Sequence, residues 1–387
     1  MPRKQANGMG TIVQRKDGRY HAAVYVYTPT GERVRKYVYG KTWQEVHDKR
    51  IELLDNNRKG IPSVTSSMKL TDYLDYWLRE VARHELRTKT FSDYEALASH
   101  YIRPHLGAKR LNALGVGDVR TFLRKVSTQP GRKGRKLSPR TVQYIHAVLR
   151  SALQHAVREE LIGRNVAKLV SAPSSEEHEV APMEPRHARR LIEHAQQHWL
   201  CALWLVYLAT GLRRGEALGL AWSDVNLATG ELRVRRTVQR VKGDIVFGEP
   251  KTARSRRTLH LPEICVHALK QHRETVAERS LPAQRNPHPH QPADLIFVTR
   301  TDRVIDPRSV NRAFGTLLKQ AGLEHVRVHD LRHTCATFLK MQGATDREVM
   351  EQLGHSSIGV TMNIYAHVLD DTKREMSTRM NQFLGGD

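Results

Sequence analysis

The sequence predicts a multidomain, mostly α-helical protein with small β elements. An N-terminal three-stranded sheet plus one helix leads into an all-α middle domain, and a mixed α+β domain follows. Three observations predict this. Residues 8 to about 60 read as short runs of β-formers broken by turn residues, then one helical stretch. Residues 67–170 carry apolar side chains at helical spacing. From residue 180 the pattern is helical, then β-rich between 231 and 261, then helical again. Segments of linker composition at 58–68 and 171–181 set the expected boundaries at 1–60, 67–170 and 180–387. A chain of 387 residues can bury a core in each of three such domains.

In the first domain, 10–15 forms a strand and Asp17-Gly18 a hairpin turn. Tyr20 to Tyr27 forms a second strand, Pro29 to Glu32 a turn, and Arg33 to Tyr39 a third strand. Thr42 caps a helix to about Asn56, with Trp43, Val46, Ile51, Leu53 and Leu54 on its buried side. The outer face of the sheet is expected to carry several of Arg15, Lys16, Arg33, Arg35 and Lys36, a surface suited to a DNA groove.

The middle domain opens with a helix bearing Leu70, Tyr73, Leu74, Tyr76, Trp77, Leu78 and Val81. A second helix runs from Thr88 to Ile102 and stops near Pro104 and Gly107. A third spans Val119 to Val126 with Asp118 as its N-cap. After a basic loop at 130–136, Ser138-Pro139 starts a long helix whose Val142, Ile145, Val148, Leu149, Ala152, Leu153 and Ala156 form one stripe.

Sixty-three lysines and arginines face 40 acids, a net charge of +23. Such an excess favours a polyanion partner, because each phosphate contact releases counterions. Charge alone does not separate an enzyme acting on DNA from a passive basic binder. No apolar run is long enough to span a membrane, and the N-terminal residues lack the apolar core of a signal peptide, so a cytoplasmic, nucleoid-associated protein is expected. Cys201, Cys265 and Cys335 are too far apart for a disulfide framework or a zinc site and read as buried thiols. His288 and His290 lack further ligands nearby, so no metal is expected.

Four motifs carry chemistry. In Ala209-Thr-Gly-Leu-Arg-Arg-Gly-Glu216, Gly211 suits a helix C-cap, and Glu216 stands where it can hold Arg213. In Gly248-Glu-Pro-Lys-Thr-Ala-Arg-Ser-Arg-Arg257, a strand feeds a turn near Lys251 and a strand returns. Lys242, Arg254, Arg256 and Arg257 compete with Lys251 for a role at a phosphate. In Val328-His-Asp-Leu-Arg-His333, His329, Arg332 and His333 share a helix face. An arginine between two histidines repels a cation and favours an anionic guest. The fourth, Leu353-Gly-His355, leads to Tyr365.

In this order the motifs closely resemble the catalytic signature of the tyrosine recombinase (phage integrase) family, of the phage or integrative-element type. Carried over residue by residue, the resemblance implies that Arg213, Lys251, His329, Arg332 and His355 activate a DNA phosphodiester and that Tyr365 is the nucleophile, with Glu216 and His333 in support. The residue types suit that chemistry. Two planar, always-charged arginines answer charge developing on the phosphate oxygens. A tyrosine with a pKa near 10 needs a proton acceptor such as His329, and Lys251 suits the departing 5′ oxygen. The resemblance implies a 3′-phosphotyrosyl intermediate, no cofactor and no metal. As partners it implies double-stranded attachment sites, a homotetramer on DNA that passes through a Holliday junction, and an excisionase or host DNA-bending protein. The first two domains look similar to arm-binding and core-binding domains.

Two rivals remain at this point. A type IB topoisomerase uses similar chemistry but relaxes supercoils as a monomer, and the extra basic β-rich domain argues against it. A DNA-binding regulator would retain only the fold, and the complete set of six residues argues against that. At the C-terminus, Met376, Met380, Phe383 and Leu384 form one apolar helical stripe, which either packs on its own domain or docks on a neighbouring protomer.

Overall fold

The computed structural model describes residues 11–27, 33–58, 68–131, 134–174, 182–250, 253–279, 287–288, 291–354 and 380–381. The chain divides into two compact units, Met1–Glu177 and His178–Asp387.

The first unit contains two separate cores. One belongs to an antiparallel sheet of β1 (Val13–Gln14), β2 (Tyr20–Tyr27) and β3 (Arg33–Gly40), in that order. Gly18 turns β1 into β2 at φ +81°, a left-handed conformation that favours glycine. Alternation sends Ala22, Val24, Val26 and Val38 inward against α1 (Trp43–Arg58). Thr42 Oγ1 accepts the backbone N–H of Glu45 at 3.2 Å, as expected of a cap.

The buried side of α1 differs from expectation. Val46 is buried and Leu53 partly so, but Trp43, Ile51 and Leu54 are exposed. Three short strands cover only a narrow stripe of a helix, and Val46, Arg50 and Leu53 fill it. Lys36 is also misplaced, because it alternates with Tyr37 and so shares the inner face with Val38; burial lowers its pKa. The outer face carries Tyr25, Tyr27, Tyr37 and Tyr39, all about half exposed. Arg33 lies 4.5 Å from the Tyr25 ring, Arg35 5.3 Å from Tyr37 and Arg15 5.7 Å from Tyr39. The turn expected at 29–32 and most of the linker at 58–68 lie outside the described residues.

The second core is helical. α2 (Leu70–Tyr76) continues through a π-helical turn, Trp77–Ala82, into α3 (Arg83–Glu85). α4 (Thr88–Leu97) continues through another, Ala98–Ile102, into α5 (Arg103–Leu106). The helix ends at Leu106, next to Gly107 as expected; Pro104 lies within its last turn, where the wider turn before it accommodates a ring without an N–H to donate. α6 (Val116–Thr128) begins at Gly115, whose N–H donates to Asp118 Oδ2 at 3.0 Å. Asp118 thus sits in the first turn and is not the cap. α7 (Pro139–Arg158) has Ser138 as N-cap, and all seven of its predicted apolar positions are buried.

The second unit begins with α8 (Pro185–Ala195), α9 (Cys201–Thr210) and α10 (Arg214–Leu218). Then come β4 (Val225–Asn226), β5 (Glu231–Arg233), the hairpin of β6 (Thr237–Val241) and β7 (Asp244–Gly248), and β8 (Thr258–His260). β8 pairs with β5, not with β7. The expected hairpin around Lys251 is therefore absent, since the strands on either side of it belong to different sheets; the tip of the β6–β7 hairpin is Lys242-Gly243. α11 (Glu263–Arg279), α12 (Pro307–Gln320), α13 (Asp330–Met341) and α14 (Asp346–Leu353) follow.

α9 is apolar around most of its circumference because it is central, packed by α11 and α13. Cys265 and Cys335 are buried thiols, whereas Cys201 is only half-buried. No described helix is long and apolar enough to cross a membrane. Met376, Phe383 and Leu384 of the C-terminal stripe lie outside the described residues, and Met380 is exposed.

Candidate active site

Two glycines bring the site together. Gly211 ends α9 at φ +62° and Gly354 ends α14 at φ +67°. A Cβ on Gly211 would lie 2.3 Å from Leu353 Cδ2, so glycine is needed both for its backbone and for the close approach of the two helix ends. Arg332, one turn into α13, donates from Nη1 to Gly211 O and from Nη2 to Leu353 O, each at 2.7 Å. It is 3 % exposed and has no carboxylate partner among the described residues. Burial, then the charges of Arg213 and Arg257, press its pKa down to about 9, so it still carries its charge at neutral pH.

Arg213 forms the N-cap of α10 and returns to the same point. Its Nη1 donates to Glu216 Oε1 at 2.7 Å and to Ser255 Oγ at 3.4 Å, and its Nη2 to Gly354 O at 3.2 Å. Glu216 Oε2 accepts the Arg213 backbone N–H at 3.1 Å. The i, i+3 pairing expected from sequence is present, with the carboxylate buried and the guanidinium half-buried.

Arg257 is a third guanidinium in this cluster. Nε donates to Gln352 O at 2.7 Å, Nη1 to Ser255 O at 3.1 Å and Nη2 to Glu216 Oε2 at 3.3 Å. Sequence reasoning had placed it only among the competitors of Lys251. A usable signal was strand parity: Arg257 alternates with Leu259 and Leu261, both buried, and so points inward. Arg213 and Arg257 share the carboxylate of Glu216 while Arg332 rests on carbonyls, so among the described residues the cluster sets three guanidiniums against one carboxylate, an excess of two positive charges. They lie where the last carbonyls of α14 bring the negative end of a helix dipole.

His329 caps α13 and stacks edge-on to His333, with ring centroids 5.3 Å apart. Arg327 and Asp330 brace this corner through a two-point ion pair. Desolvation, then the charges of His333 and Arg332, push the His329 pKa down to about 4; the residue is exposed at the surface, so solvent moderates this shift. Burial also lowers His333. Both rings are neutral at pH 7, so His329 can accept a proton. Lys251, His355 and Tyr365 lie outside the described residues; His355 directly follows Gly354 in the chain. No group of His, Cys, Asp or Glu suited to a metal occurs among the described residues.

Comparison with known proteins identifies relatives of this chain. Residues 182–372 match the phage integrase family, and residues 69–127 match the N-terminal SAM-like domain of phage integrases. A XerC-like tyrosine recombinase of Caldanaerobacter subterraneus is 30% identical over 91% of this chain and 92% of its own length. An integrase of Saccharopolyspora erythraea is 26% identical over 99% and 98%. Among solved structures, the Tn1549 transposon integrase in complex with a circular intermediate DNA has a TM-score of 0.68 at 21% identity, over 81% of this chain and all of that one. A lambda integrase tetramer bound to a Holliday junction has a TM-score of 0.54 at 18% identity, over 93% and 96%.

Proposed function

This chain belongs to the phage integrase family and is a tyrosine-type site-specific DNA recombinase; on that premise we propose how its own residues cut and rejoin DNA at attachment sites. The observation that carries the reading is the cluster of Arg213, Arg257 and Arg332, in which the first two share the carboxylate of Glu216 and the third is held by the carbonyls of Gly211 and Leu353. A phosphodiester carries one negative charge, and attack on it develops a second. The excess of two guanidinium charges matches that transition state better than the ground state, which is the condition for catalysis.

Arg213 and Arg332 bind the non-bridging oxygens of the scissile phosphate. Tyr365 Oη attacks phosphorus, and its proton passes to neutral His329. The bond to the 5′ oxygen breaks, and Lys251 supplies the proton that leaves a 5′ hydroxyl. His355 donates a hydrogen bond to the phosphate, and His333 supports His329 from the next turn. The 3′-phosphotyrosyl bond keeps the phosphodiester energy, so a 5′ hydroxyl of the partner duplex reverses the step without ATP.

The assembly reading is a homotetramer that exchanges strands through a Holliday junction. The tyrosine- and arginine-bearing sheet face binds distal arm-type sites, the helical segment binds core sites, and an excisionase or host DNA-bending protein sets direction. Trapping on a nicked suicide duplex tests the chemistry. Wild-type protein should accumulate a covalent adduct, and Tyr365→Phe should bind the same DNA and form none. A persistent adduct in the Phe variant would remove Tyr365 from the role.

A further inference from the structure

We propose that Arg257 is a positioning residue for strand cleavage, holding Arg213 in register with the end of α14 through Glu216. The inference rests on the reading of Arg213 and Arg332 as the phosphate-binding pair. It comes from a closed ring of hydrogen bonds. Arg213 donates to Glu216 Oε1, Arg257 donates to Glu216 Oε2 and to Gln352 O, and Arg213 closes the ring on Gly354 O. Arg332 adds Leu353 O. Three consecutive carbonyls, 352 to 354, are thus each taken by a different arginine. An α-helix leaves its last carbonyls without internal partners. Here they become the frame against which the arginines are aligned, immediately before His355.

The arginine side chain suits this place and lysine does not. Its fork reaches the carboxylate of Glu216, the carbonyl of Ser255 and the carbonyl of Gln352 at one time, whereas an ammonium is a single point. The Arg257 side chain is only 8% exposed, against 35% for Arg213. Burial and the like charge of Arg213 both oppose its ionisation. A buried third cation is costly unless its partners compensate. All three of its nitrogens, Nε included, are spent on Gln352, Ser255 and Glu216, which sets it behind the more exposed Arg213.

The test uses the full chain and core-site duplexes with either a normal or a methylphosphonate group at the scissile position. Arg257→Met should bind DNA as wild type and cleave the normal duplex about 10- to 100-fold more slowly, the cost of a reacting group misplaced by a fraction of an ångström to an ångström. Combined with Glu216→Gln, it should add little, since both break the same ring. The methylphosphonate removes the charge that a phosphate-binding arginine answers. It should restore cleavage to Arg213→Ala, Arg332→Ala and Arg257→Met alike, and on the normal duplex Arg257→Met should cost nothing further in the Arg213→Ala background, because a residue that acts through Arg213 then has nothing left to hold.

A further loss when Arg257→Met is added to Arg213→Ala would make Arg257 act independently of Arg213 and overturn the proposal, as would wild-type cleavage by Arg257→Met. If Arg257→Met does not fold, Arg257→Lys is read the same way: folded, slow and without further cost in the Arg213→Ala background supports the proposal, and full activity refutes it. Full activity of Arg213→Ala and Arg332→Ala would instead sink the underlying phosphate reading.

Discussion

Replacing Arg332 with lysine keeps the charge and removes the fork, which makes it a sharp probe of the site. The guanidinium is buried and spans two carbonyls, Gly211 O and Leu353 O, both at 2.7 Å. A lysine has one terminal nitrogen and shares the length of the gap poorly, so at least one carbonyl at a buried helix end loses its donor. That loss costs about 1–3 kcal/mol. For a domain of this size it corresponds to a melting temperature lower by about 2–12 °C. Loss of one preformed donor at the developing phosphate charge should separately slow cleavage by about 10²-fold or more. The two effects are distinguishable because cleavage can be read well below the melting transition. The assay is single-turnover trapping on a nicked suicide duplex, beside thermal unfolding of the same protein. A variant that melts normally and cleaves near the wild-type rate would refute both the tie between the two helix ends and the phosphate contact.

Three further outcomes are expected. His329 has a folded pKa near 4, below the unfolded value of about 6.5, so the unfolded chain takes the proton first. Its contribution to stability is present above pH 6.5 and fades as pH falls toward 4, and the acid limb of the cleavage profile should likewise lie below the ordinary histidine range. An acid limb near pH 6.5 that persists in His329→Gln would exclude His329 as the proton acceptor. Cleavage should survive excess EDTA, since arginine charge neutralises the phosphate; complete loss that Mg²⁺ restores would contradict this. Deleting residues 1–60 removes the sheet face of Tyr25, Tyr37, Arg33 and Arg35 and should abolish protection of distal arm sites while core-site cleavage continues. An unchanged footprint would show that this face does not bind arms.

By itself the sequence determined the order and type of the elements, because local rules govern them. Apolar residues recurring every three to four positions made α7 legible, Ser138-Pro139 its start, and Gly211 the end of α9. It also determined which residue types stand ready for phosphoryl transfer and in what order, and the match to the phage integrase family follows from that order. Tertiary structure decided what depends on surfaces meeting. Narrowness of a three-stranded sheet left Trp43, Ile51 and Leu54 of α1 exposed, and no periodicity reports the width of a partner. Pairing of β8 with β5 undid the hairpin expected around Lys251, since strand partnership is non-local. The same pairing turned Arg257 inward to Glu216, and the contact of two helix ends gave Arg332 its two carbonyls. A guanidinium reads alike in sequence whether solvated or buried; only the packing around it decides whether its charge is answered by water, by a carboxylate or by a guest.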